Sequence, residues 1–301
     1  MNKYKTYLES KAYSNKSIPT YLRSAGRFDA WCNNFGTSSN TIDYKTFLKY
    51  IEHIKSAGTI KPATVKNYVT NLKTYFDYLV NKNQRIDNPI INLHIKGVKK
   101  SIVRNLLEPE ELEDLYYSYD VDIVNMLSRK RNKIMLGLLV YQGITTSELQ
   151  RLKVEDVQLY KGKINILGTK KTGSRELELK PWQLMELMQY INEIRPELLN
   201  QSTCIERSRN EETDLLFFNK GKSTSLSNPL YALTKELKKI NNTFINMQQI
   251  RNSVIVDWLS KNNLRKVQYM AGHKYISSTE KYQQDDLESL HETVNMFHPF
   301  S

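Results

Sequence analysis

The 301-residue chain has the composition of an ordinary globular protein, with 40% hydrophobic and 25% charged residues. Its longest uninterrupted apolar run, residues 134–141, is far too short to cross a bilayer, and its first ten residues contain no apolar signal core. We therefore expect a cytoplasmic protein. Only two cysteines are present, Cys32 and Cys204, and we expect both to be reduced, buried hydrophobic residues. No Cys/His spacing suggests a metal site, so neither a metal nor a cofactor is expected.

The net charge of +12 is concentrated in the first third of the chain. Residues 1–104 contain 18 Lys and Arg against 6 Asp and Glu, whereas residues 105–301 contain 26 of each kind, which cancel. A basic segment beside a neutral one indicates that the first binds a polyanion, most simply nucleic acid, while the second has another task. A solvated lysine-rich surface would give the same charge, so charge alone does not establish DNA binding.

Helical periodicity dominates this first third. Apolar residues recur at three- and four-residue spacing in 17–35, 44–54 and 62–79, which predicts three helices with buried faces. The opposite faces carry basic residues that could contact DNA phosphates, chiefly Lys16, Lys61 and Lys66, followed by Arg23, Arg27 and Lys73. The pattern lapses after about residue 83. We predict a basic helical DNA-binding domain at 1–98, a linker at 99–106 and a second domain at 107–301.

The second domain is predicted to be mainly helical with a small antiparallel sheet. A hairpin is expected where 163–167 and 175–179 alternate around the turn GTKKTGS. Near the end, Ser277-Ser278-Thr279-Glu280 has capping-box spacing, which predicts a short helix carrying Tyr282 on its second turn. A tail helix is expected after it, from Leu287, Leu290, Val294 and Phe297 at helical spacing. Further helical patterns cover 108–118, 130–141, 182–194, 229–240, 247–259 and 264–271.

Four stretches of the second domain form a pattern with chemical meaning. They are YQGITTSEL at 141–149, the hairpin with Lys170 and Lys171, QQIRNS at 248–253, and AGH at 271–273 followed by Tyr282 nine residues after the histidine. In this order they resemble the TGLRxSEL, catalytic-lysine, HxLRHS and LGH…TTxxY boxes of the tyrosine site-specific recombinase, or phage-integrase, family. The N-terminal segment resembles the core-binding domain of that family. The resemblance implies a mainly α fold with a small antiparallel β-sheet, in which a core-binding domain precedes an integrase-type catalytic domain.

The resemblance also implies a role for each residue. Tyr282 would attack a DNA phosphate, and the resulting 3′-phosphotyrosyl link would store the bond energy without ATP. Arg251 and His273 would stabilise the charge that develops on the phosphate. Lys171, with Lys170 as the alternative, would protonate the leaving 5′ oxygen. Each residue alone is more readily structural, since this chain has 19 tyrosines, so the interpretation rests on their joint order and spacing.

Two positions depart from the family pattern. Thr145 stands where the first box has an arginine, and Gln248 stands where the second box has a histidine. Gln248 keeps an N–H donor, but a short hydroxyl cannot replace a guanidinium. Losing one such donor typically costs about 100- to 1000-fold in rate, which slows an enzyme without necessarily abolishing its activity. A neighbouring arginine could fill the gap, although the sequence does not indicate which one.

Three functions are consistent with these observations. The first is a DNA strand-exchange enzyme that binds double-stranded DNA as a homo-oligomer, with a dimer on each site and a tetramer in the synapse, as the resemblance implies. The second is a catalytically degenerate DNA-binding accessory or regulatory protein of the same fold. A monomeric strand-swivelling topoisomerase is the third, and the two-domain layout and tail favour it least. No membrane or small-molecule partner is expected.

Overall fold

The computed structural model describes residues 1–56, 58, 60–97, 105–119, 125–169, 172–201, 214–219 and 225–283. The chain divides into two units, Met1–Ser101 and Ile102–Ser301. Most of the predicted linker, 99–106, lies outside the described residues, so its bounds stay a prediction. The same is true of Cys204, Lys170, Lys171 and the expected tail helix.

The N-terminal unit is helical throughout its described secondary structure. Its core includes Phe28, Phe47 and Phe76, whose rings pack with centroids 5.5 to 6.0 Å apart, and Cys32 is buried among the same core residues. The three predicted helices are confirmed to within two residues at each end. A fourth, the first helix, was not predicted because only Tyr4 and Leu8 are buried in it, too few for a periodic pattern. The helices are α1 Asn2–Ser10, α2 Ile18–Asn34, α3 Tyr44–Ser56 and α4 Pro62–Asn81.

The C-terminal unit is also mainly helical, and its helices α6 and α11 pack against each other in the core. Both are buried around most of their circumference, as expected for helices at the centre of a domain. Within the described ranges of the whole chain, no helix combines the length and apolar character needed to cross a bilayer. The helices are α5 Pro109–Tyr117, α6 Met126–Gln142, α7 Thr146–Leu149, α8 Pro181–Gln189, α9 Arg195–Asn200, α10 Ser227–Ile240, α11 Met247–Lys261, α12 Leu264–Ala271 and α13, residues 277–283.

A small antiparallel sheet joins these helices. Its strands β1 Val157–Gln158, β2 Lys163–Ile166 and β3 Arg175–Glu178 lie in the order β1-β2-β3. The hairpin of β2 and β3 confirms the prediction, whereas the two-residue β1 was too short to be predicted. In the hairpin, Ile164 pairs with Leu177 and Ile166 pairs with Arg175. All four side chains are buried, so an arginine shares the inner face of the sheet with apolar residues.

Local backbone features end the helices at defined points. Gly143 follows α6 with a φ of +54°, and a Cβ there would lie 2.9 Å from the side chain of Val254. Gly272 follows α12 with a φ of +66°. Both positions therefore require glycine in the left-handed conformation that commonly ends helices. The side chain of Asn246 caps α11 by accepting from the amides of Gln248 and Gln249 at 3.0 and 3.1 Å.

Candidate active site

Arg251 lies at the centre of the predicted site. It projects from α11 and is 5% exposed. Its guanidinium donates to the carbonyl oxygen of Gly143, where α6 ends, and to that of Ala271, where α12 ends. Burial lowers the pKa of Arg251; the charge of Glu148 opposes this effect, and the charge of Arg175 adds to it. The side chain therefore links three helices and brings a positive charge into the interior.

Thr145, which stands where the family has an arginine, forms hydrogen bonds within its own helix and supplies no positive charge. Its side chain caps α7 by accepting from the amide of Glu148 at 3.1 Å. The amide and hydroxyl of Thr145 in turn donate to Glu148 Oε2 at 2.8 and 3.0 Å. This reciprocal capping box explains why threonine fits here structurally. It leaves position 145 without a charge.

The structure places a second buried arginine at this site, one that was not predicted from the sequence. Arg175 Nη1 and Nη2 donate to the two carboxylate oxygens of Glu148 at 2.7 and 3.1 Å. Both side chains are almost fully buried, with 0% and 2% of their surface exposed. Burial raises the pKa of Glu148, but the hydrogen bonds and charge of Arg175 more than offset this, so the pKa of Glu148 lies below its usual value. The pair is therefore ionised.

Gly272 makes room for this arginine. A Cβ at position 272 would lie 2.5 Å from Arg175 Nη1 and 3.0 Å from Arg175 Cζ. The guanidinium therefore packs directly on the backbone of Gly272, the residue before His273. A signal for it exists in the sequence, because Arg175 has the same strand parity as Leu177 and Leu179, and alternate residues of a strand face the same side.

His273 and Tyr282 lie side by side. The amide of His273 donates to the carbonyl oxygen of Gln268 at 2.9 Å, which fixes the turn after α12. The His273 ring stacks on that of Tyr282 with centroids 6.0 Å apart and planes 10° apart. Its Nδ1 lies 2.8 Å from the hydroxyl of Thr279. Burial, together with nearby Arg251, Lys281 and Arg175, lowers the pKa of His273 to about 4. The imidazole is therefore neutral at pH 7.

The hydroxyl of Tyr282 is held inside the site. Tyr282 is 3% exposed, and its hydroxyl donates to Asn252 Oδ1 at 3.1 Å. The same oxygen accepts from Gln248 Nε2 at 2.8 Å. Gln248 itself is exposed. Asn252 was missed because the second-box comparison drew attention to its neighbour Arg251. It joins the tyrosine to the glutamine that replaces the family histidine.

The turn of the hairpin reaches the same place. The amide of Gly173 donates to the carbonyl oxygen of Gly272 at 3.0 Å, and Thr172 forms a bridge with His273. Lys170 and Lys171 precede these residues but lie outside the described ranges. The choice between the two lysines stays a prediction.

The predicted DNA-contacting lysines lie on the N-terminal unit. Lys16, Lys61 and Lys66 are all exposed, the last two at the start of α4. Lys73 differs from them, because its ammonium donates to the carbonyl oxygen of Ile91 at 2.7 Å and is used within the unit. The exposed set is available to phosphates.

In the C-terminal unit, Arg251, Arg175, His273, Gln248 and Tyr282 are linked by the contacts described above. Both guanidiniums are buried; that of Arg175 pairs with the buried carboxylate of Glu148, whereas that of Arg251 donates to the two backbone carbonyls. The excess positive charge and the free donor capacity suit a tetrahedral anion such as a phosphate. Among the described residues, no group of three or more His, Cys, Asp or Glu side chains could hold a metal ion.

Two family models match the chain. The phage integrase family model covers residues 105–288, and the model of the phage integrase N-terminal SAM-like domain covers residues 1–83. The first alone covers more than half of the chain. The protein therefore belongs to the phage integrase family, the tyrosine recombinases, as its boxes predicted.

Known relatives agree with this assignment. The tyrosine recombinase XerC of Staphylococcus aureus (strain MRSA252) is 23% identical over 290 residues, which cover 95% of this chain and 92% of the relative. The XerH site-specific recombinase in its post-cleavage complex with palindromic difH superposes with a TM-score of 0.73 at 22% identity, covering 97% of this chain and 84% of that one.

Lambda integrase has been solved in two assemblies with the same fold. A dimer of residues 75–356 bound to a COC′ core site has a TM-score of 0.61 at 14% identity and 94% coverage of both chains. A tetramer bound to a Holliday junction has a TM-score of 0.62 at 14% identity, covering 94% of this chain and 76% of that one. At these identities the superpositions establish the shared fold.

Proposed function

We propose that this recombinase breaks and rejoins double-stranded DNA at a specific site through a 3′-phosphotyrosyl intermediate on Tyr282. The observation that carries the proposal is the convergence of Tyr282, His273 and Arg251 from α13, the turn after α12, and α11. The His273 ring stacks on the tyrosine, and Arg251 fixes the two helix ends around them. Packing alone gives no reason for a hydroxyl nucleophile, a permanently charged guanidinium and an imidazole N–H donor to lie together.

The reaction transfers the phosphate from one oxygen to another. A bond forms between Tyr282 Oη and phosphorus as the bond from phosphorus to the 5′ oxygen breaks. The tyrosine proton passes to solvent. Lys171 or Lys170, as the family resemblance implies, delivers a proton to the 5′ oxygen and is reprotonated from solvent, so the protons balance. Charge accumulates on the non-bridging oxygens, where Arg251 acts as a permanent cation.

His273 and Gln248 would bind the same phosphate as neutral donors. When the Thr279 hydroxyl donates to His273 Nδ1, the ring proton lies on Nε2, which can then donate to a phosphate oxygen. Gln248 is exposed, and its amide can exchange its bond to Asn252 for one to the phosphate. Binding of the phosphate would also favour protonation of His273, because a negative charge raises the pKa of a nearby imidazole.

Assembly on DNA follows from the proposed reaction. Exchanging strands between two duplexes requires four cleavages, so we propose a dimer on each site and a tetramer in the synapse, the second state resembling the lambda integrase tetramer. The lysine-bearing domain, residues 1–98, would bind the DNA backbone through Lys16, Lys61 and Lys66, and the catalytic domain, residues 107–301, would carry the chemistry. The tail at Leu287, Leu290, Val294 and Phe297 would contact a neighbouring protomer. A DNA substrate supports a cytoplasmic location, which we propose for this protein.

A pure DNA-binding role is the second candidate. It is favoured by the buried hydroxyl of Tyr282, which donates to Asn252 instead of facing solvent. It is favoured also by Thr145, whose hydroxyl serves only to cap α7. In this role the protein would hold a recombination site for another enzyme and form no covalent bond.

Covalent trapping distinguishes the two roles. A labelled duplex nicked just downstream of the cleavage point releases the short fragment that carries the new 5′ hydroxyl, so resealing is prevented and the phosphotyrosyl adduct accumulates. We expect the wild type to form this adduct and Tyr282→Phe to form none while keeping its DNA affinity, because the change removes the nucleophile but few phosphate contacts. Tyr275→Phe is the matched control, since Tyr275 is 69% exposed and should react normally.

If the wild-type protein binds a DNA but forms no adduct on it, the proposed strand cleavage is contradicted and the pure DNA-binding role is supported. Native gels with two-site DNA then examine assembly. An adduct formed by a protein that never joins two sites would instead indicate the topoisomerase.

A further inference from the structure

We infer that Arg175 supplies the transition-state cation that Thr145 cannot provide. The inference rests on the proposed strand-cleavage function and adds a catalytic residue to it. Arg175 enters the site from β3, whereas the missing first-box arginine would have entered from the start of α7. We therefore propose that β3 provides the positive charge that the start of α7 provides in the family.

The position of Arg175 is the first support. Glu148 Oε2 accepts from the amide and hydroxyl of Thr145 and also from Arg175 Nη2 at 3.1 Å. A single carboxylate oxygen therefore lies between position 145 and the guanidinium. An arginine side chain extending from position 145 and the side chain of Arg175 would compete for the same acceptor. The charge of Arg175 thus lies next to position 145, where the family arginine is missing.

Proximity to the other proposed phosphate ligands is the second support. The guanidinium packs on Gly272, where a Cβ would lie 2.5 Å from Nη1. The next residue is His273, which stacks on Tyr282. The positive charge of Arg175 is close enough to contribute to the lowered pKa values of both Arg251 and His273. The charge of Arg175 therefore acts on Arg251 and His273, the other proposed phosphate ligands.

An unused donor is the third support. Arg175 Nε is buried and has no hydrogen-bond partner among the described residues. Buried N–H groups without an acceptor are rare in folded proteins, since they have lost water and gained nothing in return. Within a cation-rich site, the acceptor that would satisfy this group is an oxygen that arrives with the substrate. A non-bridging phosphate oxygen has the right charge and capacity.

Glu148 has a positioning role in this scheme. Its ionised carboxylate holds both terminal nitrogens of Arg175, so the guanidinium is oriented before DNA binds and little reorganisation is needed during cleavage. The covalent step itself is unchanged: Tyr282 Oη replaces the 5′ oxygen on phosphorus, and Arg175 exchanges no proton. Its contribution is the stabilisation of charge on the non-bridging oxygens.

The opposing explanation is that Arg175 and Glu148 form a structural ion pair that fastens β3 to α7. Arg175→Gln would then lower activity only by disturbing the fold. The two explanations differ in how the loss depends on the charge of the phosphate. A methylphosphonate at the cleavage position carries one charge fewer, so it reduces the need for a stabilising cation but does not repair a misfolded site.

The test measures adduct formation on nicked duplexes carrying either a phosphate or a methylphosphonate at the cleavage point. We expect Arg175→Gln to lose about 100- to 1000-fold on the phosphate, the typical effect of removing one transition-state donor. On the methylphosphonate it should lose less than about tenfold relative to wild type. Lys163→Gln is the matched control: it breaks a half-exposed ion pair with Glu176 on the same hairpin and should leave both rates unchanged.

A double variant protects the test against unfolding. Glu148→Leu with Arg175→Met removes both buried charges together, which commonly restores a stable interior. The inference predicts a folded double variant with the same selective loss on the phosphate substrate. Recovery of the wild-type rate by the folded double variant would overturn it, as would equal losses of Arg175→Gln on both substrates. If wild-type protein binds DNA and forms no adduct, the proposed function fails, and this inference with it.

Discussion

Positive charge is exposed in the N-terminal unit and buried in the catalytic unit. Lys16, Lys61 and Lys66 are surrounded by solvent, whereas Arg251 and Arg175 are 5% and 4% exposed and bonded to fixed partners. Exposed ammonium groups attract any stretch of DNA backbone and are screened by salt. Buried guanidiniums held by fixed partners would be preorganised for a single phosphate, which is the role that we propose for them. A zero net charge over residues 105–301 therefore conceals a locally positive centre.

Removing the exposed charges should have the largest effect within this comparison. We expect the combined variant Lys16→Gln, Lys61→Gln and Lys66→Gln to weaken DNA binding strongly. The slope of log affinity against log salt should become shallower by roughly 3, because each phosphate contact contributes about 0.9. Titrations of a labelled duplex at several salt concentrations measure this slope.

The control for this variant removes three exposed lysines of the catalytic unit, Lys161, Lys235 and Lys238. Their removal should change the slope much less. Equal changes from the two sets would show that the units do not divide the work as described.

A smaller effect is expected from adding charge to the buried centre. In the Arg175→Gln background, Thr145→Arg should raise the rate of adduct formation by about tenfold or more, because the new guanidinium can pair with Glu148 and face the phosphate. In the wild-type background the gain should be below tenfold, since Arg175 already occupies that acceptor. Rates on the nicked duplex measure both. A larger gain in the wild type than in the variant would contradict this account.

The smallest effect concerns pH and the neutral state of His273. Its pKa of about 4 in the folded protein lies below the ordinary value of 6.5, so the unfolded chain binds more protons between these values. The free energy of unfolding should therefore fall as the pH is lowered from 6.5 to 4. The depressed pKa of Glu148 adds to the loss as the pH falls below 4.5, the ordinary value of a glutamate, because the unfolded chain then binds the proton first. Chemical denaturation at several pH values between 4 and 6.5 measures this change in the free energy of unfolding.

His273→Gln should flatten the curve between pH 4 and 6.5 by about 1–2 kcal/mol, allowing for the partial exposure of the ring. His53→Gln, the same substitution at an exposed position on α3, is the control. A curve for His273→Gln that still follows the wild type would mean that the imidazole does not differ between the folded and unfolded states.

The fold could be predicted largely from the sequence because its signals are local. Apolar spacing located α2, α3, α4, α11 and α12 to within a few residues, and proline or glycine marked several of their ends. The family boxes gave Arg251, His273 and Tyr282, which the structure brings together. Their catalytic roles stay predictions, as do those of Gln248 and Thr145.

What the sequence did not indicate depends on contacts between distant residues. Arg175 meets Glu148 across 27 positions, and Asn252 meets Tyr282 across 30. No periodic pattern encodes such pairs, since each partner is ordinary in its own segment. Arg175 gave a weak signal as an inward-facing charge on a strand, and a buried charge requires a partner. Which carboxylate served as that partner became clear only from the folded chain.

The short connection between the hairpin and the turn after α12 has a consequence for timing. The amide of Gly173 is bonded to the carbonyl of Gly272, and Thr172 is bridged to His273. A displacement of the hairpin tip is therefore transmitted to the backbone of the histidine. Since the family resemblance places the proton-donating lysine on that hairpin, we expect a movement of the lysine toward the leaving oxygen to be coupled to the position of His273, a proposed ligand of the same phosphate.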